Sequence, residues 1–269
     1  MRYQKYQPDV ALRPFVECYF VWGGEAKETV DVQSPPNSFN ALVLNYADSY
    51  EAYQNSTERM SVPNAFVCGI FTSNYHLVLR GNIGMIGIVF KPPALFNFFG
   101  IHMSKLVNNR LALELLLPDK APLLLKEIKA ASTDEDRVKI LEEFALQFLG
   151  EAKARRSVVD EAVELINEHR GCISVEAVSA HLKISRRYLE KHFLEKVGVS
   201  PKFYSRIKRF VTLSKTVAYS EKFDWQDIVF ENGLHDQSHL AKEFLEFNRM
   251  SPSEYFEKHQ ELIRLIKPR

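Results

Sequence analysis

The chain has 269 residues, of which 46% are hydrophobic and 26% charged, with a formal net charge of +1. That is an ordinary globular composition, long enough for two domains. It excludes a membrane-spanning chain, because no apolar run approaches the ~18 residues a membrane helix needs.

The first ninety residues read as strands. FVECYFVW (15–22), FNALVLNY (39–46), AFVCGIF (65–71), YHLVLR (75–80) and MIGIVF (85–90) are short, β-branched or aromatic. Turn residues separate them: Gly23-Gly24, Ser34-Pro35-Pro36-Asn37, Asn55-Ser56 and Gly81-Asn82. Strands at this spacing predict a sandwich or small barrel over 1–92. Pro92-Pro93 ends that pattern, and ALFNFFG and LALELLL begin a helical connector over 93–150. Ser132 and Glu135 predict a capping box. Val138, Leu141, Phe144, Ala145 and Phe148 then recur at helical spacing, and residues 133–149 are a candidate dimerisation helix. The small, charged GEAKARR (150–156) predicts a domain boundary, and helices follow from Ser157.

Three cysteines, Cys18, Cys68 and Cys172, are far apart with no CxxC pair, as in a reduced compartment. The N-terminus, MRYQKYQPDV, lacks the apolar core of a secretory leader. A cytoplasmic location is therefore expected.

The near-neutral total hides two opposed blocks. From Lys183 to Lys215 there are ten Lys or Arg against two Glu, a balance of +8. From Glu221 to Glu257 there are three bases against nine acids, a balance of −6. A basic block of this kind points toward nucleic acid.

Inside these blocks the chain repeats a frame. SRRYLEKHFLEKVGVSP (185–201) returns 51 residues later as DQSHLAKEFLEFNRMSP (236–252). Leu189 meets Leu240, Phe193 meets Phe244, Leu194 meets Leu245, and Ser200-Pro201 meets Ser251-Pro252. Each copy parses as helix, tight turn, helix. In the first (175–197), Val175, Val178 and Leu182 give the leading helix an apolar face, Lys183-Ile184 make the turn, and Ser185 caps the next helix. There Leu189, Phe193 and Val197 share one face. The opposite face carries Arg186, Arg187, Glu190 and Lys191. Arg and Lys donate to guanine and Glu accepts from cytosine, as a recognition helix in a major groove requires. The second copy (225–248) offers Gln237, Ser238, Ala241 and Lys242, with Asp236 as cap. Between them, residues 201–219 predict one linker helix of roughly 28 Å, with Arg206, Lys208, Arg209 and Lys215 left for solvent or phosphate. The frame is written twice because one chain can then read two successive major-groove segments.

These residues resemble the DNA-binding domain of the AraC/XylS family of bacterial transcription regulators, over about residues 155–260. The second motif carries the more diagnostic residues: Ile228, Gly233, Asp236, Ser238, His239, Phe244, Ser251, Pro252 and Tyr255. Val229, Leu240, Arg249 and Phe256 depart from the usual Ala, Phe, Gly and Arg, and Arg249 bears on the turn's backbone. ALRPFVECYFVW and SPPNSFNALVLNY resemble, more weakly, the β-rich sensing domains of such regulators. The resemblance implies an α+β multidomain chain: a β-rich, barrel- or sandwich-like N-terminal domain with a helical connector, and an all-α C-terminal domain with two helix-turn-helix motifs. It implies double-stranded DNA as partner, a small-molecule effector or a homodimer contact in the N-terminal domain, and RNA polymerase as partner if the chain is an activator. The alternative is a ligand-independent regulator whose N-terminal domain only dimerises or binds a protein.

Tyr19, Trp22, Phe39, Tyr46 and His76 are candidate effector-pocket residues, since aromatic walls with polar tips suit a small ligand; plain core is the rival reading. No cofactor or catalytic residue is expected. The first 150 residues hold only His76 and His102, without the His-x-His pair of a metal-dependent barrel enzyme. His235 and His239 stand four apart but straddle the turn into the second recognition helix. No Gly-rich phosphate loop or G-x-S-x-G elbow appears.

Overall fold

The computed structural model describes residues 1–54, 58–152, 156–219 and 237–251, together with Glu254. Its N-terminal half is one antiparallel sheet built around two long strands. β2 (Val16–Ser34) pairs with β7 (Tyr75–Phe90) over almost its full length, with irregularities between Val16 and Cys18 and between Ala26 and Val30. β1 (Arg2–Tyr6) flanks β2. On the other side of β7 come β3 (Asn40–Asn45), β6 (Ala65–Cys68) and β8 (Arg110–Ala112), while β4 (Glu51–Tyr53) pairs with the start of β7 and with β5 (Met60–Ser61).

Alternation along the strands sorts side chains to two faces. Tyr19, Val21, Leu42, Leu44, Ile86 and Ile88 share one cluster with the helices that cover this face. Ala41, Val43, Phe66, Cys68, Leu79 and Met85 point the other way, into a cluster supplied by strands and loops alone. The sheet curls around that second cluster, and both faces are buried, so the strands carry apolar residues on both sides.

The structure differs from the sequence expectation at several points. The turns expected at Gly23-Gly24 and Gly81-Asn82 lie inside β2 and β7, so 75–80 and 85–90 are one strand. Gly81 has φ of 73°, and a side chain there would collide with the Asp48 carboxylate, which accepts a 2.7 Å hydrogen bond from the Asn82 N–H. The strand runs on through that contact. The sheet also continues past Pro92-Pro93, because β8 pairs with β6. Asn55-Ser56 lies outside the described residues.

Helices α1 (Ala94–Phe99), α2 (Lys120–Ala130) and α3 (Asp134–Ala152) pack on the first face, where α3 buries Val138, Leu141 and Ala145. The cap of α3 sits one residue later than the sequence pattern suggested. Thr133 Oγ1 accepts from the Asp136 N–H at 3.1 Å and donates to its carboxylate at 2.6 Å.

The C-terminal half is helical: α4 (Val158–Glu168), α5 (Val175–His181), α6 (Arg186–Val197), α7 (Pro201–Tyr219) and α8 (Gln237–Asn248). Its core gathers Val163, Val178, Leu189, Phe193, Phe210 and Phe244, and it includes Ile70 from the loop after β6. Other contacts join the halves. Lys196 Nζ lies 5.2 Å from the Phe96 ring centroid, Asn97 donates to Asp160 (3.3 Å), and Asn74 Nδ2 donates to the Asn248 carbonyl at 2.8 Å.

Candidate nucleic-acid interface

The first helix-turn-helix forms as its spacing requires. Ser174 Oγ accepts from the Ala177 N–H and caps α5. The turn is made by Lys183 in the left-handed region, φ 54°, with the Ile184 N–H bonded back to the Ser179 carbonyl at 3.1 Å. Ser185 Oγ then accepts from the Tyr188 N–H at 3.2 Å and starts α6. Leu189, Phe193 and Val197 are each 0% exposed. Burying that stripe turns Arg186, Arg187, Tyr188 and Lys191 to solvent.

These exposed groups are not equivalent. Arg186 is engaged with Glu190 at 2.8 Å and with Glu176 at 2.5 Å. Both pairs are exposed, so they are weak and exchangeable. Glu190 is therefore occupied by Arg186 in this state. Arg187 and Lys191 make no ion pair to a described residue and stand on one stripe with Leu194, at i, i+4 and i+7.

Arg206 and Arg209 are placed differently from the sequence expectation of free phosphate ligands. Both donate to Glu243 Oε1, at 3.2 and 3.1 Å, and Arg206 also holds Glu246 with two N–H bonds. Glu243 is only 2% exposed. The two arginines thus tie α7 to α8 and neutralise a buried carboxylate. Hydrogen bonding from Arg206 holds the Glu246 carboxyl below the usual carboxylate range. Nothing in the sequence signalled these partners, because 37 residues separate Arg206 from Glu243. Lys208 is half-buried on the same helix.

In the second motif, α8 carries Lys242 and Leu245 to solvent and buries Phe244 and Phe247. Leu245 stands at the register position of Leu194; both are exposed, and neither was singled out from sequence. The side chains of Gln237, Ser238 and His239 lie outside the described residues, as do all of 220–236, including His235 and Asp236. The frame recurs at its end. Ser200 Oγ accepts from the Phe203 N–H and Ser251 Oγ from the Glu254 N–H, each at 3.2 Å.

The five aromatic pocket candidates do not converge. Tyr19 and Tyr46 belong to the helix-covered face of the sheet, Trp22 and Phe39 to the curled face. His76 lies half-buried, stacked on Tyr53 and bonded to Asp31 at 2.6 Å. Among the described residues no helix is long and apolar enough to cross a membrane, and no cluster of three or more His, Cys, Asp and Glu could hold a metal ion.

Residues 178–258 match a family model described as a helix-turn-helix domain, of the AraC type. The chain carries an AraC-type helix-turn-helix domain over those residues. With that domain the protein is a DNA-binding transcription regulator. Residues 4–112 match a second model, described as a domain of unknown function (DUF6597), whose match ends with β8. A search of curated proteins returned no match. Among solved structures the regulator is similar to an apo ToxT variant from Vibrio cholerae, with 12% identity, 89% of this chain and 97% of that one covered, and a TM-score of 0.49. ToxT from the same species bound to an unsaturated fatty acid gives 15%, 88% and 94%, and 0.47. The AraC-like transcriptional activator CuxR gives 17%, 85% and 91%, and 0.28.

Proposed function

We propose that this regulator reads its operator chiefly through α6, with Arg187 and Lys191 donating to guanine edges and Leu194 packing on a thymine methyl group. The observation that carries the reading is the orientation of α6: its apolar stripe is fully buried and its Arg187–Lys191–Leu194 stripe faces solvent. Ser185 and Arg186, at the start of the helix, suit backbone phosphates. Arg186 can exchange its surface carboxylates for a phosphate at little cost. In the second motif Gln237, Ser238, His239 and Lys242 take the corresponding contacts. Its acidic surroundings make it the weaker reader, so the first motif supplies most of the affinity.

The β-rich region is the sensing part, answering to a small effector. α3 supplies a homodimer contact through the exposed Leu146 beside half-buried Phe144 and Phe148. The protein acts in the cytoplasm, performs no chemical step, and meets RNA polymerase where it activates. Sedimentation of the full chain checks the dimer.

The deciding experiment selects bound duplexes from a random DNA pool and measures the winner by fluorescence anisotropy across a salt series. Enrichment of a defined site, with affinity falling steeply as salt rises, supports the reading. A protein that enriches no sequence refutes it.

A further inference from the structure

We propose that Glu176 is a positioning residue for sequence readout: from α5 it competes with DNA phosphate for Arg186 and so suppresses binding to wrong sequences. The inference deepens the reading of α6 as the principal reader and rests on it.

Arg186 opens α6, and Glu176 stands in the first turn of α5, on the other side of the helix-turn-helix turn. The guanidinium bridges two carboxylates. Its Nη1 donates to Glu176 Oε1 at 2.5 Å and its Nε to Glu190 Oε1 at 2.8 Å. Glu190 is one turn along the same helix. Glu176 lies ten residues before Arg186 and is the more exposed acid, 63% against 43%. The corner therefore carries −1 (one Arg, two Glu) beside the cationic Arg187 and Lys191.

Such exposed pairs are weak in themselves. The cost of breaking them lies in what stays behind. When Arg186 turns to a phosphate, both carboxylates face a polyanion without their partner. Glu190 is compensated where the base pair beside it offers a cytosine amino group, and repelled where it offers the acceptors of guanine or thymine. Glu176 is off the recognition helix and acts through Arg186, holding it back until that base contact is made. Nonspecific binding draws almost wholly on phosphate contacts, so it is the state that this pairing penalises most.

The repeated frame supplies a second observation. Val178 and Leu189 stand in register with Ile228 and Leu240, which sets Gln226, Gln237 and Ala241 opposite Glu176, Arg186 and Glu190. All three charges are absent together from the second motif. An acid near the start of α5 also favours the helix dipole. That role would be served by Glu176 alone and asks nothing of Arg186 or Glu190.

The test uses the full chain, the operator selected from random DNA and a scrambled duplex of the same length, with anisotropy read across a salt series. Glu176→Gln keeps the side-chain length and removes the charge. It should raise affinity for the scrambled duplex by about two- to five-fold and for the operator by less, so that the preference for the operator falls. The salt slope on the scrambled duplex should steepen by about one, the signature of one more phosphate contact. In an Arg186→Gln background the same substitution should leave that slope unchanged, because no guanidinium is left to release. Glu161→Gln, which removes an exposed acid of α4, controls for net charge. Urea unfolding controls for a purely structural pairing, which would shift the midpoint and not the slope. The proposal is overturned if Glu176→Gln leaves affinity and slope on the scrambled duplex at parent values, if Glu161→Gln reproduces the change, or if the slope steepens without Arg186. If the parent enriches no site, the reading of α6 itself falls. If it enriches one and Glu176→Gln discriminates as the parent does, only this proposal falls.

Discussion

Gly198 and Arg249 lie 51 residues apart and close their helices with the same bond. The Gly198 N–H donates to the Leu194 carbonyl at 3.1 Å, and the Arg249 N–H to the Leu245 carbonyl at 3.0 Å. Both residues adopt a positive φ, 96° and 56°. The frame therefore keeps its left-handed stop even where the family's usual glycine is an arginine.

Left-handed backbone costs a residue with a Cβ roughly 1 kcal/mol. Arg249→Gly should accordingly stabilise the protein by about 1 kcal/mol, read as a higher urea midpoint. Gly198→Ala should do the opposite, by about 1–3 kcal/mol, because the strain is joined by a collision. A Cβ there would stand 2.8 Å from the Met103 carbonyl oxygen and 2.9 Å from Val107 Cγ2. Equal and opposite shifts would mean that conformation alone matters at Gly198.

Two kinds of arginine should separate experimentally. Arg187→Ala should weaken operator binding by about 10- to 100-fold with folding intact. Lys191→Ala should lower affinity and reduce the salt slope by about one if it meets a phosphate, or relax one base position if it meets guanine. Arg209→Ala removes a partner of buried Glu243 and should lower stability by about 1–3 kcal/mol in a denaturant titration. A normal unfolding midpoint for Arg209→Ala, with a lost salt slope, would make Arg209 a phosphate ligand rather than a tie between helices.

The Arg206–Glu246 pair adds a pH dependence. The folded-state pKa of Glu246 is depressed, so its contribution is complete above the ordinary glutamate value of about 4.3 and fades as pH falls below that. Arg206→Gln should therefore narrow the stability difference between pH 7 and pH 3. A pH profile parallel to the parent's would exclude the linkage.

Leu194 and Leu245 are exposed at matching places on two helices. If each rests on a thymine methyl, replacing the contacted thymine by deoxyuridine should weaken binding by about three- to ten-fold, the worth of a buried methyl group. Leu194→Ala should be insensitive to that replacement in the first half-site. Persistent sensitivity in the variant would assign the methyl contact to another side chain.

The cap of α3 offers a local check. Thr133→Ala should lower stability by about 1 kcal/mol, and Ser132→Ala should change it little. The reverse order would restore the register suggested by the S-T-D-E pattern.

The helical half was legible because its signals are local. Ser185, the Leu189–Phe193–Val197 stripe and the 201–219 linker needed only spacing and capping chemistry, and each appears at its expected place. The β-rich half was legible in kind but not in connection. Gly81 reads as a turn signal because its neighbour Asp48, against which it packs within a strand, lies 33 positions earlier. Long-range electrostatic partners escaped for the same reason. No spacing rule joins Arg206 to Glu243, or Arg110 to the rings of Phe71 and Tyr75. The aromatic residues chosen as pocket walls were sorted by strand parity to opposite faces.

Ile70 leaves the β-rich half and lies fully buried among the side chains of the helical one. A fragment cut near residue 155 would therefore carry a bare hollow where that side chain belongs. The two halves should melt in a single cooperative transition, and severing them should cost the DNA-binding piece part of its own thermal resistance. The boundary is thus clearer in the order of the chain than in the thermodynamics of the molecule.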